Sequence, residues 1–164
     1  MLSRKIICLI MLITSPLVYN PPIIFAKQDD EQIKVIVTFE ILKSIVSPIV
    51  NGAGEVSSIV SGGADPHNFM LTPSIIKEAQ ESDLIVITGH VMWEKDLVKR
   101  VAEERKVPEE SISLNLLDLE GIKLLNLNGE RNIHGFWLLP DNALTIAEAI
   151  KNKVLEIKPG LSRK

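Results

Sequence analysis

The sequence predicts an α/β fold: a single lobe with a mostly parallel sheet flanked by helices, ending in a long helix. Two observations carry this. From Ile33 onward, short β-branched apolar runs alternate with amphipathic stretches, the pattern of a sheet covered by helices on both faces. The chain also closes on a long helical period, with apolar residues at 144, 147, 150, 154 and 157. No internal repeat or low-complexity segment interrupts this order.

The elements follow in turn. Arg4 and Lys5 precede the uncharged "IICLIMLITSPLVY", and "PPIIFA" closes the stretch before the polar "KQDDEQ". That is the grammar of an export signal ending at Ala26, the other reading being an N-terminal anchor. Pro16 and Asn20-Pro21-Pro22 leave the apolar run short of the roughly 20 residues a membrane span needs. Either reading puts the folded part outside the cytoplasm. Residues 1–26 are thus set apart, 27–139 form the α/β lobe, and 140–164 hold the long helix and the C-terminus.

Within the lobe, "IKVIVTF" reads as a buried strand, followed by an apolar stretch from Ile41 to Val50 that stops at Asn51-Gly52. "VSSIVS" is a second strand leading into Gly62-Gly63. Thr72-Pro73-Ser74 opens a helix, with a hydroxyl cap and proline at the first helical position. "DLIVIT" is the third strand. Trp93, Leu97 and Val101 recur among "EKD", "KR" and "EER", which predicts a half-buried helix. "ISLNLL" is a fourth strand and "IKLLNL" a fifth. The last helix starts at Pro140-Asp141 and stops at Pro159-Gly160.

Composition narrows the function. The chain has 164 residues, 46% of them hydrophobic, enough for one domain with a real core. Its charge is −3, and removing residues 1–26, which hold two basic and no acidic residues, leaves −5. Such a balance gives no support to nucleic-acid binding. The single cysteine, Cys8, lies inside the apolar run rather than at its end, where a lipid-attachment cysteine would stand. Disulfides and thiolate ligands are therefore absent from residues 27–164, and a metal site there must use His, Asp or Glu.

Three histidines remain: His67, His90 and His134. In open parallel sheets ligands bind beyond the carboxyl ends of the strands. His67 follows the second strand and His90 the third, so both belong on that edge. Pro66 restricts the backbone beside His67, and Asp65 is placed to accept a hydrogen bond from an imidazole N–H.

"GGADPHNFMLTPSIIKEAQESDLIVITG" and "HGFWLLPDNALTIAEAI" resemble two motifs of the substrate-binding proteins of zinc and manganese ABC importers. The first family motif reads approximately D-P-H-x-[YF]-E-x-T-P-S, followed by a helix and an apolar strand. The second sets a histidine just before W-L-D-P-[DE]-N-A. The resemblance runs in order from about Ile33 to Pro159. It implies two α/β lobes joined by a long helix, with zinc or manganese held in the cleft as transported ligand rather than as catalyst. Carried over by position, the family ligands fall on His67 and His134. His90 lies where the motif offers no ligand and is expected at the rim. The implied partners are an ABC permease in the membrane and a second lobe; the sequence matches the N-terminal half only, which is expected of a truncated chain or of one half of a split protein.

The chain departs from the pattern in several places. His134 stands three residues before Trp137 instead of two, with Gly135 as the added residue. Met70 replaces the motif glutamate, and Leu139 replaces the acidic residue before the proline. A histidine-rich loop, common in zinc-specific members, is missing. A lone lobe would expose its cleft face around Phe136 and Trp137. Two other readings stay open at this level: a degenerate or interaction-only fragment, and a metal-dependent hydrolase using all three histidines. The second lacks an H-E-x-x-H or G-x-S-x-G motif.

Overall fold

Apolar residues at successive positions of the first strand face opposite ways, so this strand must be covered on both sides. The computed structural model describes residues 32–163, and the expected export segment lies outside them. In β1 (Ile33–Phe39), Ile33, Val35, Val37 and Phe39 enter one core and Ile36 the other. β2 (Gly54–Val60), β3 (Leu84–Ile87) and β4 (Ser113–Asn115) complete a sheet of order β2-β1-β3-β4, every pairing parallel. β3 divides as β1 does, Leu84 and Val86 to one side, Ile85 and Ile87 to the other. Near-continuous apolar strands are what a doubly covered parallel sheet requires.

Helices supply the two covers. α1 (Lys43–Val50) and the 18-residue α5 (Pro140–Ile157) lie on one face, burying Val46, Val50, Ile146, Ile150 and Val154. On the other face lie α2 (Pro73–Gln80), α3 (Met92–Arg105) and the short α4 (Glu109–Ile112), with Ala79, Leu97, Val101 and Ile112 buried. The expected helix start at Thr72 is present: its side chain accepts from the Ile75 N–H at 3.4 Å, with Pro73 first in the helix. Burial of each large aliphatic side chain contributes about 1.5–3 kcal/mol. The C-terminal helix is therefore part of the lobe's core.

Two expectations need correction. "IKLLNL" does not add a fifth strand to the sheet. Its Leu125–Leu127 (β5) pairs antiparallel with Glu130–Asn132 (β6) in a separate hairpin. Asn128 and Gly129 both have positive φ, 54° and 89°, which is the tight hairpin turn that Asn-Gly favours. Nor is Phe136 exposed. It is 2% accessible and packs into the core with Ile146 and Ile150, while Trp137 is half-buried. Leu138, one residue on, is the exposed apolar side chain at 68%. Among the described residues no helix is long and apolar enough to cross a membrane.

Candidate metal centre

The strand order turns outward from β1, with β2 on one side and β3 on the other, so a crevice forms beyond their carboxyl ends. His67 reaches it from the β2–α2 connection. Asp65 caps a single 3-10 turn, Pro66–Asn68, by accepting from the His67 backbone N–H at 2.9 Å and from Asn68 Nδ2 at 2.6 Å. Trp93 Nε1 donates to the Pro66 carbonyl at 2.8 Å and ties this loop to α3. The Gly62 N–H donates to the Glu40 carboxylate, and a Cβ at Gly62 would come within 2.6 Å of that oxygen.

His90 comes from the end of β3. Its neighbour Gly89 has φ +86°, and a Cβ there would sit 2.0 Å from Asn115 Oδ1, so only glycine fits this turn. His134 follows β6, where Asn132 Oδ1 accepts from the His134 backbone N–H at 2.9 Å. Gly135 then takes the left-handed conformation, φ 68°, and starts the 3-10 turn Phe136–Leu138. The residue added relative to the family spacing is thus absorbed by a glycine suited to it.

The three imidazoles converge. Ring centroids lie 5.5 Å apart for His67 and His90, 5.4 Å for His67 and His134, and 5.1 Å for His90 and His134. One nitrogen from each falls within 4.8 Å of the other two. His67 and His134 are exposed and His90 is half-buried, with Phe39 edge-on at 5.3 Å and Trp137 at 5.7 Å. They line a hollow of about 380 Å³ together with Phe39, Glu40, Gly62 and Trp137. A larger hollow of about 670 Å³ lies along β4, lined by Lys95, Glu109, Lys153 and Glu156 and without a histidine. The convergence of imidazoles, not size, marks the chemically distinctive one.

Beneath His90 sits Glu94, fully buried in the first turn of α3. Its carboxylate accepts from the Thr88 N–H at 2.8 Å, the Thr88 hydroxyl at 2.7 Å, the Gly89 N–H at 2.8 Å and the Thr38 hydroxyl. Thr88 Oγ1 in turn meets His90 Nδ1 at 2.5 Å. Burial pushes the His90 imidazole below its ordinary range; Glu94 opposes this, and His134 and His67 add to it. A lowered value keeps the ring neutral and its lone pair available at neutral pH.

The structure departs from the sequence-based expectations at two of the four site residues. His90 stands inside the cluster with His67 and His134, not at its rim. The hydrogen bonds Asp65 makes go to the His67 backbone and to Asn68, so it shapes the turn instead of holding a ring nitrogen. Sequence reasoning missed Glu94 and Thr88. The signal was present: Glu94 precedes Leu97 and Val98 by three and four residues, which puts it on the apolar face of α3.

Comparison with known proteins bears on the same region. Residues 35–163 match the family described as ZnuA, zinc-uptake complex component A, periplasmic. The chain is 32% identical over 146 residues to the iron-binding protein YfeA of Yersinia pestis, a match covering 89% of this chain and 45% of that one. It is 29% identical to the manganese ABC transporter substrate-binding lipoprotein PsaA of Streptococcus pneumoniae, over 82% of this chain and 44% of the other. It therefore spans about half the length of the relatives it matches. Among solved structures, the manganese-bound periplasmic metal-binding protein of Candidatus Liberibacter asiaticus superposes with TM-score 0.62 at 22% identity, covering 80% of this chain and 48% of that one. The metal-dependent lipoprotein YcdH of Bacillus subtilis gives TM-score 0.60 at 22% identity, covering 79% and 46%. These structural likenesses establish the shared α/β fold.

Proposed function

We propose, because this chain belongs to the periplasmic zinc-uptake complex component A family, that His67, His90 and His134 together capture a divalent cation for import. The observation that carries the proposal is the convergence of three imidazole nitrogens within 4.8 Å at the carboxyl edge of the sheet. Zinc or manganese is the transported ligand. Tetrahedral zinc with nitrogens at 2.0–2.1 Å needs them about 3.3 Å apart, so the three must draw together by at most about 1.5 Å. Rotation of the exposed His67 and His134 side chains supplies such a movement. The fourth position is left to water or to a ligand from a second lobe.

Asp65 contributes by fixing the backbone of His67. The chain acts by capture and release, not by catalysis, and its partners are a membrane permease and a second lobe that closes over the histidines. Residues 1–26 direct the lobe outside the cytoplasm, and residues 140–164 hold the helix that would lead towards the second lobe.

The donor set is all imidazole nitrogen. Such a set follows the order of increasing affinity from manganese towards zinc, so zinc should bind the more tightly of the two. Competition titration with a chromogenic chelator, using zinc and then manganese, tests this with His67→Ala, His90→Ala and His134→Ala in parallel. Each substitution should weaken zinc by at least the roughly 10- to 100-fold typical of losing even an outer contact. Zinc binding unchanged in all three variants would refute the site. No binding by the wild type would favour the interaction-only reading.

A further inference from the structure

An imidazole can bind a metal only through a nitrogen that has lost its proton, and the neutral ring keeps its one proton on the other nitrogen. For His90 that choice is made beneath the ring. Thr88 Oγ1 has a single hydrogen, which it donates to Glu94 Oε2 at 2.7 Å. In its 2.5 Å contact with His90 Nδ1 the oxygen is therefore the acceptor and Nδ1 the donor. Glu94 cannot turn away to release Thr88. Its Oε1 is held by the Thr88 N–H at 2.8 Å and its Oε2 by the Gly89 N–H at 2.8 Å, with the Thr38 hydroxyl as a further donor.

We infer that Glu94, acting through Thr88, is a positioning residue that locks His90 in the Nδ1–H tautomer and leaves the Nε2 lone pair for the cation. The consequence for metal rests on the reading of His90 as a ligand; the tautomer does not. The chain carboxylate–hydroxyl–imidazole is a one-step extension of the carboxylate–histidine pairs that orient ligands around metals and raise their basicity. It also gives a buried carboxylate a task. Among the described residues no lysine or arginine forms an ion pair with Glu94, whose contacts are all to neutral donors.

The test is a long-range proton–nitrogen NMR spectrum of the imidazoles in the purified metal-free chain, recorded above the range in which histidine protonates. The wild type should show His90 as Nδ1–H. Thr88→Val, which removes the hydroxyl at nearly constant volume, should abolish that preference and weaken zinc about 10- to 100-fold. Thr88→Ser should restore both. A wild-type His90 in the Nε2–H form overturns the inference, and needs no variant to fold. So does a Thr88→Val chain with unchanged tautomer, whereas a changed tautomer with unchanged zinc affinity would leave the lock standing and refute His90 as a ligand. A wild type that shows Nδ1–H yet binds no zinc would instead refute the metal-capture reading and leave the relay standing.

Discussion

His90 differs from the other two histidines in being half-buried, and its protonation therefore couples to folding. Burial lowers its imidazole below the ordinary value of 6.5, with His134 and His67 acting in the same direction against Glu94. As pH falls through 6.5 the unfolded chain takes up this proton before the folded one does. The stability that the neutral ring allows is thus fully present above 6.5 and lost as pH drops through the lower, folded value. Unfolding free energies from urea titration of the metal-free chain should rise with pH across this window, by no more than about 1.4 kcal/mol per pH unit, the limit for one proton. His90→Gln should flatten that part of the profile, and an equal slope in both proteins would contradict the assignment. His67 was legible in the sequence because a turn, a proline and a strand end all pointed to one place. For Glu94 the spacing to Leu97 and Val98 marked the buried face, but its task was not legible, because nothing local in "EKD" says that Thr88 and Gly89 lie opposite it.

At the level of elements, the segment that carries His134 is held by a side chain outside it. Asn142, fully buried near the start of α5, accepts from the Lys123 N–H at 2.8 Å and donates to the carbonyls of Lys123 at 2.7 Å and Phe136 at 2.8 Å. Asn142→Ala leaves these three backbone groups without partners, at a cost of about 1–3 kcal/mol. It should also weaken zinc binding, because the turn that presents His134 loses its anchor. Denaturant unfolding and zinc titration of the same variant check both, and unchanged zinc affinity in a destabilised chain would separate the anchor from the site. The neighbouring Lys123–Asp141 pair is exposed and weighs little, although its hydrogen bond and charge hold the Asp141 carboxyl below the usual range. The start and stop of α5 were readable from Pro140, the apolar spacing and Pro159-Gly160. The β5–β6 hairpin was not. Its strands are three residues each, too short for a period to declare itself, and only Asn128-Gly129 betrays the turn.

For the whole molecule, alternation of strands and helices was enough to predict a parallel sheet, and strand order then decides which loops meet. β2 and β3 flank β1, so the loops after them open onto one edge. Two histidines could be placed there from the sequence, but their convergence with His134 depends on the path of residues 116–139, which no local pattern encodes. Packing of α5 against α1 fixes that path by burying Phe136 beside Ile146 and Ile150. The result is three imidazoles brought together at one edge of the sheet, the donor set on which the proposed metal site rests. X-ray absorption of the zinc-loaded chain, fitted for the number of imidazoles around the metal, tests this most directly. Three imidazoles at about 2.0–2.1 Å, completed by an oxygen donor, is the predicted result. Two imidazoles, with the same spectrum from His90→Gln, would place His90 outside the metal's coordination and contradict the account.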